Sequence, residues 1–203
     1  MDTKLISEVA GYIAVSCGFV MVSIQAVRIQ RFGSEGVSPF AWSLFFWANT
    51  FFAVWGWAIH YLPIAIGASV ISPIMLFIVS KTALRAAVKG FALATAICAV
   101  VIAAPVVIWN WDAGIVGATA IQLALTIPAI IALYQSNTAA GSAATAWFVN
   151  SAATFILAFS GALQERWVFM ITQLCVCASN VAIGLLTVQR HRKLHRIEAT
   201  AGV

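Results

Sequence analysis

The chain has 203 residues, of which 63% are apolar and 8% charged, and it carries a formal net charge of +5. Soluble domains carry roughly 25% charged residues, so this sequence cannot clothe a water-facing surface and reads as an integral membrane protein. Its basic residues stand in short clusters between long apolar runs, which leaves no folded basic face and excludes a nucleic-acid groove.

A helix needs about 20 apolar residues to cross the hydrocarbon core. Seven such runs are bounded by charge, Pro, Gly or Asn: residues 8–27, 38–59, 62–81, 89–109, 113–134, 143–163 and 167–189. The first follows "MDTKLISEVAGY", where acids mix with one lysine, and its full length predicts a spanning helix rather than a cleaved signal peptide. It closes at "QAVRIQRFGSEGVSP", from Gln25 to Pro39, which turns basic, then Gly/Ser-rich, then apolar again. "HYLP" (His60 to Pro63), "WNWDAG" (Trp109 to Gly114) and "GALQERW" (Gly161 to Trp167) mark the turns on the opposite side. Trp109, Trp111 and Trp167 stand there as an aromatic belt. Cys17, Cys98, Cys175 and Cys177 all lie in apolar runs without CxxC spacing or a histidine neighbour. They read as small buried side chains, not as a disulfide or zinc site.

Charge orients the bundle. With the N-terminus outside, nine of the eleven basic residues fall inside: Arg28, Arg31, Lys81, Arg85, Lys89, Arg190, Arg192, Lys193 and Arg196. Lys4 and Arg166 lie outside, in company with Asp2, Glu8, Asp112 and Glu165. Cytoplasmic loops are the Lys/Arg-rich ones, so the asymmetry predicts N-out, C-in and an odd number of helices. The compact loops and short tail suggest a prokaryotic inner (cytoplasmic) membrane. The basic tail "QRHRKLHR", from Gln189 to Arg196, reads as a cytoplasmic anchor near anionic lipid.

The Gln25 stretch has an echo, "PAIIALYQSNTAAGSA", from Pro128 to Ala143. With Ile24 set against Pro128 the offset is 104 residues, and each copy runs on through a Gly/Ser turn, a helix with Asn and aromatics, a short outer turn and a third helix. Three crossings are an odd number, so two such units point the same way only if a linking helix intervenes. The sequence therefore divides into residues 1–88 (first triple-helix repeat), 89–112 (linker helix), 113–190 (second repeat) and 191–203 (tail). The predicted fold is all-α, seven transmembrane helices in a 3+1+3 plan of parallel repeats sharing an axis along the membrane normal.

These residues resemble the PQ-loop family, which includes the MtN3 and SWEET sugar transporters in their full-length 3+1+3 form. The family's Pro-Gln is divided here: repeat one has Ile24 and Gln25, repeat two Pro128 and Ala129. "GSEGVSPFAW" (Gly33 to Trp42) resembles the turn after the loop, and "SNVAIGLLTVQ" (Ser179 to Gln189) the pattern of the last helix. The resemblance implies a transporter, with homo-oligomers, a bilayer and a small-molecule substrate, most simply a sugar, as its partners.

The mid-helix amides are Asn49, Gln122, Asn150, Gln173 and Asn180. An unpaired amide in hydrocarbon is costly, so these face protein or a watery cavity and read either as interhelical glue or as binding residues. The resemblance implies binding for Asn180, which matches the Asn of the SWEET substrate pocket. Setting Ser179 and Asn180 against Ser72 and Pro73 puts proline where the paired Asn would stand, and leaves Ser72 as a hydroxyl donor beside Ser69. The expected substrate-binding set is Asn180, Asn150, Ser72, Asn49, Trp55, Phe155 and Gln173. Trp55 is the preferred stacking ring, although the family's spacing falls on Phe52. Gln25, Pro128 and Pro73 are expected at gating hinges, since proline removes a helix donor and crowds a carbonyl.

No Asp, Glu, Lys, Arg or His falls mid-helix. Ion-driven carriers need a charged or titratable membrane site, so a passive uniporter is expected, moving a small neutral solute such as a mono- or disaccharide by alternating access. A nucleophile with an adjacent base is also missing, so no enzyme, cofactor or metal is expected. Two other readings stand beside this one. A facilitator resembling the PnuC vitamin carriers (nicotinamide riboside, thiamine) suits eight tryptophans. A receptor or sorting protein of the same fold would need a charged pocket, which the helix interiors lack.

Overall fold

The computed structural model of the chain describes the backbone of residues 2–201 and the side chains of residues 2–194, so that His195 and Arg196 of the predicted anchor lie outside the described side chains. Seven helical rods follow one another: α1 (Thr3–Phe32), α2 (Pro39–Ala58), α3 (Leu62–Ser80), α4 (Leu84–Ile108), α5 (Trp111–Gln135), α6 (Ala144–Leu163) and α7 (Trp167–Ala201). Six are long and apolar enough to cross a membrane. The exception is α2, whose Trp42, Trp47, Trp55, Trp57 and Asn49 lower its mean hydropathy; tryptophan counts as polar on such scales although its ring is largely apolar. The apolar runs become helices because hydrocarbon offers backbone N–H and C=O groups no partner except each other. Rods α1, α4 and α7 extend beyond the predicted runs, because Arg28, Arg31, Arg85, Lys89, Arg190 and Arg192 are good helix formers and leave the backbone ladder intact.

Local chemistry sets the ends. Asp2, Ser38 and Asn110 cap α1, α2 and α5, accepting the N–H groups of Lys4, Ala41 and Ala113 at 3.0, 3.1 and 3.0 Å. Proline sets the interruptions. In α5, Pro128 has no N–H for the Ala124 carbonyl, and the rod breaks at Leu125 (ψ −18°). In α4, Pro105 follows a wide π turn over Ala99–Ala103. Pro73 departs from expectation: α3 runs through it unbroken, with the ring on the exposed face.

Packing closes six rods into a ring in the order α1, α3, α2, α5, α7, α6 and back to α1, with α4 outside against α2 and α5. The two turns at the end opposite the basic clusters have the same form. His60 and Glu165, 105 residues apart, hold left-handed φ values of 56° and 57°. Tyr61 N–H donates to the Gly56 carbonyl and Arg166 N–H to the Gly161 carbonyl, both at 2.9 Å. A Cβ at Gly56 would lie 2.6 Å from Ala65 N, and one at Gly161 3.4 Å from Met170 N, so each turn draws its two helices together over a glycine. Anchored on these turns, Asn180 stands opposite Met75 and Pro73 opposite Ala178, which corrects the pairing of Asn180 with Pro73.

The end carrying Arg28, Arg31, Lys81, Arg85, Lys89, Arg190, Arg192 and Lys193 is the basic end; Asp2, Glu8, Asp112 and Glu165 mark the acidic end. Trp109 and Trp167 are exposed at the acidic end as expected, whereas Trp111 packs on Phe51 at 6.2 Å. All four cysteines are free; Cys98 is buried but Cys175 is exposed, since the face of α7 that carries it points away from the ring.

Gly117 of α5 tests the outer packing, because a Cβ there would come 2.0 Å from the carbonyl oxygen of Val101 in the π turn. Backbone cannot move aside as a side chain does. Gly117→Ala is expected to cost about 1–3 kcal/mol, read as a lowered melting temperature in detergent; an unchanged melt would refute the α4–α5 contact.

Candidate functional site

All six ring helices, and no residue of α4, line a central cavity of about 80 Å³. Its wall is largely apolar: Met21 from α1, Phe45 and Phe52 from α2, Met75 from α3, Phe169 from α7. Four amides break that surface, Asn49, Gln122, Asn150 and Gln173, one each from α2, α5, α6 and α7. They reach it because each stands on the ring-facing stripe of its helix, whereas lipid exposure would strand it.

The four are not equivalent. Asn49 Nδ2 donates to the Ala68 carbonyl (2.8 Å) and to Ser72 Oγ (2.9 Å). Ser72 Oγ in turn donates to the same carbonyl at 2.8 Å. Asn49 is thus tied to α3, and Ser72 supports it from outside the lining. Gln122 Oε1 is buried with no partner. Among the described residues, Asn150 and Gln173 have no side-chain hydrogen bond either, although both are buried (6% and 3% exposed). The Gln122 oxygen is a fully buried orphan, which costs about 1–3 kcal/mol, and with the unbonded amides of Asn150 and Gln173 on the same lining it marks a place for polar atoms.

Asn180 does not line this cavity. It is buried on α7 with Nδ2 unpartnered, between Gln173 of the cavity and Ile183 and Thr187, which border a smaller cleft at the basic end. The aromatic expectations also shift. Trp55 is 1% exposed and sits behind Phe52 and Phe169, at ring centroid distances of 6.2 and 5.2 Å. Phe52 and Phe169 are therefore the rings at the cavity. Phe155 is 59% exposed on the outer face of α6 and reaches no part of the site. The helical period places it there, about 100° from Thr154, which does line the cavity.

Both ends of the ring are tied. At the acidic end Ser160 Oγ meets Ser7 Oγ at 2.8 Å and the Tyr61 hydroxyl at 2.6 Å, and Gln164 Nε2 donates to Ser7 Oγ. Beneath them lies the Trp55 ring, with the Arg166 guanidinium 5.6 Å from its centre. At the basic end Gln25 does two things at once. Its Nε2 donates to the Gly141 carbonyl, and its Oε1 accepts the Ala143 N–H at 3.2 Å. Ala143 is the N-cap residue of α6 and has no side chain to cap with; at the matching place in the first turn, Ser38 supplies its own hydroxyl. Gln25 therefore lends α6 the start that its own loop lacks. Gly141 N–H donates to the Glu35 carbonyl (2.8 Å), Arg28 Nε to the Ala140 carbonyl (2.7 Å) and Arg190 Nη2 to the Ser136 carbonyl (2.8 Å). Loop 136–143 is held from α1, from loop 33–38 and from α7.

Replacing Gln25 by Leu keeps the volume and removes both bonds. Amide hydrogen exchange at Ala143 is then expected to speed up by about tenfold, as one lost bond of about 1.4 kcal/mol implies, whereas the Gly141 N–H keeps its bond to the Glu35 carbonyl; unchanged protection at Ala143 would refute the capping role.

No protein-family model, no curated protein and no solved structure matches the chain.

Proposed function

We propose that this chain is a transporter of the PQ-loop and SWEET type, a 3+1+3 bundle that passes a small neutral solute by alternating access, as a passive uniporter. The observation that carries the reading is the convergence of Gln122, Asn150 and Gln173, whose amides have no hydrogen-bond partner among the described residues, on a cavity between two tied ends. Amides both donate and accept, which suits hydroxyl-bearing solutes, and no charged side chain lines the space. The triplets are α1–α3 and α5–α7, with α4 as linker; the matching outer turns and the ring order support this plan. The gathering of arginine and lysine at one end supports N-out, C-in.

Each end then serves as a gate. The Gln25 latch closes the inner end, Ser7, Tyr61 and Ser160 the outer, and the break at Pro128 gives α5 a hinge below Gln122. Asn180 joins the site when the inner end opens, meeting the solute on its way past Ile183 and Thr187. At about 80 Å³ the cavity is smaller than the roughly 150 Å³ that admits a benzene ring. The solute therefore enters with the ring opened, and monosaccharide size is favoured over a disaccharide. Phe45, Phe52 and Phe169 on the wall favour a second reading, a flat heteroaromatic vitamin or nucleoside of the PnuC kind.

The test is uptake of radiolabelled sugars, nucleosides and vitamins into liposomes holding the purified protein, with and without a proton gradient. One neutral solute should equilibrate independently of the gradient. Asn150→Ala and Gln173→Ala should each lower its flux about tenfold, the worth of one good hydrogen bond. Absence of flux for every neutral solute, or full flux in the double variant, would overturn the proposal. Asn180→Ala should lower flux while leaving the melting temperature unmoved, because Nδ2 has no partner to lose.

A further inference from the structure

Outside the ring, between α1 and α6 at the basic end, lies a groove of about 420 Å³. Its floor is apolar, with Phe19, Val20 and Val27 exposed along it, and its mouth holds Arg28, Arg31 and Thr145. A surface that is greasy on one side and doubly cationic at its end has the chemistry of an amphiphile with a negative head. The dimensions agree: Val20 to Arg31 is eleven residues along α1, about 16 Å of helix, and half the hydrocarbon core is about 15 Å.

The two guanidinium groups are available. Arg28 spends Nε on the Ala140 carbonyl (2.7 Å) and lies 5.5 Å from the Phe32 ring centre, which fixes the fork in place and leaves its terminal nitrogens uncommitted. Arg31 is exposed at the last turn of α1. Glu35, the acid nearest in sequence, takes the Thr138 hydroxyl at 2.5 Å. Among the described residues neither arginine forms an ion pair. A planar guanidinium binds phosphate oxygens in bidentate fashion, and a hydroxyl such as that of Thr145 completes such a site.

We propose that this groove binds one anionic phospholipid, its phosphate between Arg28 and Arg31 and one acyl chain running past Val27 to Val20. The site rests on the membrane-spanning character of the helices and not on the transport reading. Because Arg28 also holds Ala140, an occupied groove fixes the arginine and with it loop 136–143.

The experiment is native mass spectrometry of the full chain in detergent, titrated with dioleoylphosphatidylglycerol or dioleoylphosphatidylcholine. A juxtamembrane arginine is worth about fivefold in affinity for anionic lipid, so the first phosphatidylglycerol should bind about 30-fold tighter than phosphatidylcholine. Arg31→Gln, which leaves the Ala140 bond intact, should lower the ratio about fivefold, and Arg28→Gln with Arg31→Gln should abolish it. Val20→Trp, which fills the floor, should weaken phosphatidylglycerol with both arginines present. Arg85→Gln with Lys89→Gln, equally basic but on α4, should change nothing. A preference that survives loss of both groove arginines, or falls equally with the α4 pair, would overturn the site. Displacement of the lipid by millimolar inorganic phosphate, with Val20→Trp silent, would assign the arginines to a soluble anion instead and overturn the proposal too.

Discussion

A side-chain amide inside hydrocarbon must find a partner or cost about 1–3 kcal/mol, and the arrangement of this bundle follows from where six such amides go. Gln25 is satisfied by the backbone of loop 136–143 and Asn49 by the backbone and hydroxyl of α3. These two are structural ties, one closing an end of the ring and one joining neighbours within it. Gln122, Asn150 and Gln173 have no such outlet and turn to the central cavity. Asn180 is left between the cavity and the basic end. Closing the helices into a ring is the solution that keeps all six off the lipid.

The two ends are tied by different chemistry although the turns repeat. At the acidic end hydroxyls meet one another over a buried ring cluster of Trp55, Phe52 and Phe169. At the basic end side-chain donors seize loop carbonyls, and an amide from α1 caps a helix more than a hundred residues away. Single hydrogen bonds contribute about 1 kcal/mol net, and only a few hold each end.

The interruptions differ in what packs around them. Pro128 lies in α5, whose rod breaks at Leu125, one turn below Gln122. Pro105 and its π turn lie in α4, outside the ring, where Gly117 takes up the irregular backbone by close approach. Pro73 lies in α3 beside no break at all; Asn49 and Ser72, the residue before it, both donate to the Ala68 carbonyl about one turn earlier. Proline supplies a missing bond in each case, and the neighbours decide whether the helix yields.

Composition and spacing by themselves determined the membrane class, the seven rods, the short turns and the two-ended distribution of charge, because these depend on apolar length and on the satisfaction of backbone groups within each helix. They also named the amides and marked the Gln25 stretch as special. Tertiary structure alone decided which of these residues meet. Trp55 stands as the preferred stacking ring and the resemblance points to Phe52, but only packing put Phe52 at the cavity and Trp55 behind it; Phe155 went to the outer face, because its neighbour Thr154 took the inward one. The pairing of Asn180 likewise depended on turn geometry, which slides a repeat alignment by two residues without changing its composition. Side-chain contacts between helices are non-local and small in energy, and a sequence read one helix at a time carries no record of them.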